Sequence, residues 1–240
     1  MSMMCGWMFA CMIGMSAFEL PADSTQCIVG ISEGWDSSHV TLSRHEKRSG
    51  KWVKVGKEWQ GRLGSKGLAW GRGLHPNPPR ATLKQEGDKR SPAGVFDLGG
   101  VWGAHQSINK HAKMPYHQVT SRDLWVEDPH SALYNQFLSL KHEPRTEWEK
   151  KAQMVQNDHS HSLKWFIKHN STPAVVPNGG SSIFFHIWRR EGASASAGCT
   201  TMEENKLREM IATVDPERRP LYVLLPRAEY DQRKPTWKLP

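Results

Sequence analysis

Two side chains in this sequence have types and a spacing suited to acyl transfer: Cys199 and, thirteen positions before it, His186. A thiolate is a strong nucleophile, and an imidazole within reach can take the thiol proton as sulfur attacks a carbonyl. Between them runs HIWRREGASASAGC, small residues from Gly192 to Gly198 leading into the cysteine. Such a loop lets a substrate backbone approach. Gly198 can adopt conformations that other residues avoid, and backbone N–H groups beside Cys199 are candidate oxyanion donors. A plainer reading stands beside this one. A lone cysteine is commonly a small core residue, and a histidine among apolar neighbours is commonly a hydrogen-bonded core residue.

The flanking elements decide how these groups are held. SSIFFHIW (181–188) is the strongest strand candidate, with His186 between Phe185 and Ile187, so the ring would be rigid. MEENKLREMIATV (202–214) places Leu207, Met210, Ile211 and Val214 at helical spacing. Thr201 with Glu204 fits a capping box, Glu203 and Glu204 suit the first turn, and DPERRP stops the helix. Cys199 is therefore expected just before a helix N-terminus, where unpaired N–H groups and the positive dipole end favour the thiolate.

Other strand candidates are CIVGIS (27–32), HVTLSRHEK (39–47), KWVKVGKEWQGRLG (51–64), VFDLGG, LWVED (124–128), FIKHN (166–170) and LYVLLP (221–226). GLHPNPPR (73–80) must be a loop, and KQEGDKRSPAG (84–94) a polar turn. In that turn Lys84, Glu86, Gly87 and Asp88 are expected to support the site, and Gly94 to permit the bend into the next strand. Residues 139–163 read as a polar insertion with room for one short helix. His159 and His161 lie there as a His-Ser-His pair without a third ligand at metal-binding spacing, and are read as solvated loop residues.

Two blocks together, FFHIWR…SAGCTTM and KQEGDKRSPAGVFDLG, resemble the L,D-transpeptidase catalytic domain, the YkuD-like family, in which a His precedes a [Ser/Thr]-x-Gly-Cys segment. LYNQF (133–137) and KHNSTP…NGGSSIFFH (168–186) resemble its branch with Gly-Cys-Thr at the nucleophile. The likeness spans roughly residues 27 to 226. It implies a mainly β domain with a few helices, of sandwich type, acting on peptidoglycan stem peptides outside the cytoplasm without metal or cofactor. It further implies that Cys199 attacks the carbonyl at the L-centre of a diamino acid and expels terminal D-Ala. His186, often oriented in this family by a backbone carbonyl, accepts the thiol proton. An amine then resolves the acyl-enzyme into a cross-link, or water resolves it as a carboxypeptidase. Ser196, Ala197, Gly198 and Thr200 map to the substrate and oxyanion loop, and His169, Asn170, Tyr134 and Asn135 to supporting positions.

Three departures stand out. The spacing from His186 to Ser196 is short, Ile187 stands where the family usually has Gly, and Thr201 where it commonly has Arg. Arg189 or Arg190 is a candidate to supply the missing charge. An inactive wall-binding module of the same fold, or an enzyme anchoring proteins to the wall, is the competing reading. Papain-like order has Cys before His and is disfavoured, and no zinc-peptidase motif occurs.

The chain has 240 residues, a net charge of +8, 11 Trp and 20 Gly. The charge favours an anionic partner such as the cell wall, and no basic blocks interleaved with aromatics point to nucleic acid. Met3 to Phe18 is an uncharged run, too short for a span but of signal-core length. Residues 1–22 are thus expected to be a leader or apolar N-terminal segment, residues 23–240 the catalytic domain, and the location the periplasm or cell envelope. Membrane contact would come only through an uncleaved leader. Four cysteines, Cys5, Cys11, Cys27 and Cys199, form no disulfide framework.

Overall fold

A computed structural model describes residues 18–240, so the apolar run, Cys5 and Cys11 lie outside the described residues except for Phe18. The chain is mainly β. Its strands are β1 (Gln26–Ser32), β2 (His39–Arg48), β3 (Lys51–Arg62), β4 (Leu68–Trp70), β5 (Ser91–Gly103), β6 (Tyr116–Gln118), β7 (Asp123–Trp125), β8 (Phe137–Ser139), β9 (Leu163–Ile167), β10 (Phe184–Ile187), β11 (Thr200–Met202) and β12 (Leu221–Pro226). Among the described residues, three α-helices, α1 (Glu147–Lys151), α2 (Glu204–Thr213) and α3 (Arg227–Trp237), accompany them.

The main ladder runs β12-β1-β2-β3-β11-β10-β9-β5, and β5 also pairs with β12, so the hydrogen-bonded path returns on itself. This closure leaves few free edges and wraps one apolar core. Ile28, Leu42, Phe96, Trp165, Ile167, Phe185, Met202 and Tyr222 are all buried in it. The α2 helix lays Leu207, Met210 and Ile211 on the same core, the stripe expected from their spacing. A second cluster, Trp125, Met154, Phe166 and Phe184, packs against Cys199. Its rings meet at near-perpendicular or tilted angles, Trp125 to Phe184 at 4.8 Å and 74°, Trp125 to Phe166 at 4.6 Å and 57°.

Three local expectations fail. Cys199 does not precede a helix: β11 comes directly after it, pairing in parallel with β10 and antiparallel with β3, and α2 begins only at Glu204. Thr201 forms no capping box either, because its hydroxyl is buried in β11 without a partner, and the N-cap is Glu203, with no side-chain bond. Strand pairing and the burial of Met202 outcompete the local helix signal. Gly94 does not mark a bend into a strand; it lies inside β5 with φ +137°. The His75 ring occupies the place a Cβ would take, its Nε2 lying closest to that point. His75 in turn stacks on Trp237 of α3 at 5.6 Å and 20°, so this glycine seats the C-terminal helix on the core.

Residues 139–163 carry α1 and a short 3-10 turn, His159–His161, and they fold back to form a wall beside Cys199. Among the described residues no helix is long and apolar enough to cross a membrane.

Gly94→Ala should destabilise the fold by about 3 kcal/mol or more, since both the backbone conformation and the His75 contact oppose a side chain. A denaturant midpoint within error of the parent protein would refute this account of Gly94.

Candidate functional site

Cys199 ends the small-residue loop and opens onto a cavity of about 270 Å³, whose lining includes His186, His161, Lys164, Glu127 and Lys84. The loop is fastened at both ends. Ser196 N donates to Leu63 O at 2.8 Å and Ser65 N to Ser196 O at 2.9 Å, which pins it to the end of β3. The Ser196 hydroxyl donates to Cys199 O at 2.6 Å and accepts from Gly198 N at 3.0 Å. That bond uses the Gly198 amide, so it is not a free oxyanion donor at rest. Thr200, directly after the cysteine, is buried, and its hydroxyl meets the Tyr222 hydroxyl at 3.0 Å. Ala197 is exposed, as is Ala193 earlier in the loop, and Ala197 lines the cavity.

The sulfur is half-buried and bonded to backbone: Phe184 N donates to Sγ, and Sγ donates to Ser182 O, each at 3.4 Å. Burial pushes the thiol up to about 11; the Phe184 amide opposes this, Glu127 adds to it, and Lys164 and Lys84 oppose it. The expected helix-end stabilisation of a thiolate is absent because the helix is not there, and the resting group is a neutral thiol.

His186 is buried in β10, and its Nδ1 meets Ile187 O at 2.8 Å. A carbonyl only accepts, so Nδ1 carries the proton and Nε2 is left with its lone pair. Burial holds the imidazole down to about 3, helped by neighbouring His161 and Lys164, while the backbone of Ile187 and of Ser160 works the other way. No hydrogen bond joins Sγ to the ring; the two groups share the cavity and a second one beside it. His161 stacks on His186 at 4.5 Å and 28°. It is fixed by Asp158, which accepts from His161 N at 2.9 Å, meets Nδ1 at 2.7 Å and accepts from Arg189 Nη2 at 2.6 Å. The reading of His161 as a solvated loop residue is therefore corrected: it forms part of the site wall. His159 points outward to Glu204 at 2.8 Å, and among the described residues no three His, Cys, Asp or Glu groups converge as a metal cluster would.

The supporting positions lie behind the cavity. Asn135 uses all its bonding capacity: Nδ2 donates to His169 O at 3.0 Å and Asn170 O at 2.8 Å, and Oδ1 accepts from Trp125 Nε1 at 2.9 Å and Ser182 N at 3.0 Å. His169 is wholly buried, with Nδ1 accepting from Arg72 N at 3.1 Å and Nε2 on Gly179 O at 3.0 Å. Asn170 clasps Val176 and Gly180. Tyr134 donates to Glu86, which also accepts from Ser181 Oγ at 2.7 Å. These four therefore shape the 176–183 segment that delivers Ser182 and Phe184 to the sulfur; His169, Asn170 and Tyr134 do not line the cavity. Lys84 is buried and paired with Asp88 at 2.5 Å; with Glu86 and Gly87 it lines the cavity mouth. Arg189 lines the second cavity, and Arg190 lines neither.

Sequence reasoning missed Lys164 and Glu127, both on the cavity wall. Lys164 had a visible signal, a lone lysine in the otherwise apolar strand LKWFI. Glu127 had none, since it lies in an irregular stretch directly after β7.

The family model for the L,D-transpeptidase catalytic domain, YkuD, matches residues 39–223. Among solved structures, the helical cell shape determining protein Pgp2 from Campylobacter jejuni aligns at 15% identity with a TM-score of 0.36, over 83% of this chain and 48% of that one. A lysine-to-alanine mutant of Pgp2 aligns at 14% identity and a TM-score of 0.37, over 87% and 49%. The chain thus spans about half the length of those proteins, and the likeness is too distant to carry an argument. No curated protein matches. The family match covers most of the chain, including the block around Lys84–Gly99 and the one that carries His186 and Cys199, and on it the chain belongs to the L,D-transpeptidase catalytic domain family.

Proposed function

We propose that the protein is a cysteine-dependent peptidoglycan L,D-transpeptidase of the cell envelope. The observation that carries this is that Cys199 and His186 open onto one cavity with the imidazole tautomer set to accept a proton at Nε2. The thiol leaves Ser182 O and gives its proton to Nε2 as sulfur bonds the carbonyl carbon of a stem tetrapeptide. The C–N bond to terminal D-Ala breaks, and the leaving amine takes the proton back from the imidazolium. An acceptor amine then attacks the thioester, forms a new amide and releases the thiol. Both resting groups are neutral, so the proton moves with the attack rather than before it. Cys27 is buried in the core and takes no part.

Incubation with disaccharide-tetrapeptide and mass spectrometry tests the reading. Cross-linked dimers are expected; D-Ala release without dimers would instead assign a carboxypeptidase, and no reaction together with no carbapenem adduct on Cys199 would assign a wall-binding module. Cys199→Ala should abolish turnover, and His186→Ala should lower it by about 10²–10⁴-fold. Arg189→Ala should lower turnover and Arg190→Ala should not; equal effects would remove Arg189 as the substitute for the family's arginine.

The pH dependence has a definite sign. A thiol raised by burial to about 11 is protonated at neutral pH. Its alkylation by iodoacetamide should therefore climb about tenfold per pH unit from neutrality and show no plateau below about pH 10. A plateau already reached near pH 6 would mean a resting thiolate and would overturn the neutral pair.

A further inference from the structure

Lys164 is the buried cation of the catalytic cavity that no acid neutralises. It is 4% exposed, lies in β9 opposite His186 of β10, and lines the cavity with Cys199. Its ammonium has three protons, and among the described residues the one acceptor it meets is Met154 O at 2.8 Å. Among the described residues no carboxylate lies within ion-pair reach of it. Most other charges of the site are engaged: Lys84 with Asp88, Glu86 with Tyr134 and Ser181, and Asp158 with His161 and Arg189; Lys151 on the same lining forms no ion pair among the described residues either, but it is exposed and solvated rather than buried. Glu127 stands on the wall without an ion pair, and its charge is felt by Lys164 but not in contact with it. A buried ammonium without a counter-ion is costly and is held in place when the missing anion arrives with a ligand. Burial already draws the group down to about 8, as expected where the counter-charge is absent.

We propose that Lys164 holds a carboxylate of the ligand in the Cys199 cavity and so sets which peptides are accepted. This rests on the proposed reading of the site as one that acylates on a peptide. A stem tetrapeptide offers that carboxylate in two places, its C-terminus and the side chain of its diamino acid. Either would meet the two ammonium protons that the protein leaves unused. The Met154 carbonyl keeps the third and fixes the ammonium's direction. Lys164 is on this account a specificity residue: it binds substrate and transition state alike and takes no part in the proton transfer.

The test measures binding of free stem tetrapeptide, its C-terminal amide and its side-chain amide by calorimetry, in Cys199→Ala protein with and without Lys164→Met. Parallel steady-state kinetics use protein that keeps Cys199. One of the two amides should bind about tenfold or more weakly than the free acid when Lys164 is present, and that amide identifies the carboxylate. In the Lys164→Met background the acid and that amide should bind equally, and Lys164→Arg should restore discrimination. In the kinetics, Lys164→Met should raise KM about tenfold with kcat little changed. A merely structural lysine would weaken all three ligands together and leave their ratios intact, which would overturn the proposal. Loss of folding in Lys164→Met would show in the melting curve, and the amide ratios of the protein retaining Lys164, with those of Lys164→Arg, then decide. Turnover without discrimination against either amide sinks the proposal alone. Discrimination in binding without turnover sinks the catalytic reading and leaves the carboxylate site standing. Absence of both sinks the two together.

Discussion

The site depends on one four-residue strand being hydrogen-bonded along both edges. β10 lies between β9 and β11, with His186 opposite Lys164 on one side and Thr201 on the other. That double pairing fixes the direction of the imidazole before any side-chain contact is made, because successive residues of a strand face opposite sides. Phe185 is driven into the main core and Phe184 into the aromatic cluster beneath Cys199. The same strand's first amide, Phe184 N, reaches the sulfur. Cys199 and His186 are therefore positioned by one element, although they lie in separate segments of the chain. The parallel pairing of β10 with β11 makes this possible, since it returns the chain beside the histidine just after the cysteine.

Burial sets the electrostatics of the pair. It raises the thiol and lowers the imidazole, and both shifts favour the uncharged forms. Nearby cations do not reverse this; Lys164 and Lys84 pull the thiol down less than burial pushes it up. The stacked His161 contributes to the same end by disfavouring a positive charge on His186, while Asp158 holds His161 in place.

Much of the fold was legible because its longer strands show their pattern over many residues. CIVGIS, HVTLSRHEK and LYVLLP each match an observed strand to within a residue or so. Strands of three residues, such as β6, β8 and β11, are too short to display a period of two, and β11 takes the place of the helix start expected directly after Cys199. The α3 helix escaped notice because its sequence is charged and contains Pro235; it is held by Tyr230 and Trp237 packing on the core rather than by propensity. Within the site, chemistry of type was legible and chemistry of position was not. Cys199 and His186 announce themselves by their neighbours, whereas His161 gains its place only through the Asp158 turn folding over His186.

The same distinction explains why His169, Asn170 and Asn135 read as site residues although two of them are wholly buried behind it. Asn135 and Asn170 both sit at positive φ, where asparagine is favoured among side chains bearing a Cβ, and their amides replace the ladder bonds that the 176–183 segment lacks. A segment without regular structure has to be held by side-chain amides if it is to present Ser182 O and Phe184 N at fixed positions. Asn135 closes that arrangement by bonding Ser182 N on the residue that also accepts the Cys199 proton. The polar residues around Cys199 thus divide by the direction of their bonds. Those that bond backbone behind the cavity build the surface, and those left with unused donors inside it, Lys164 foremost, are the ones available to a ligand.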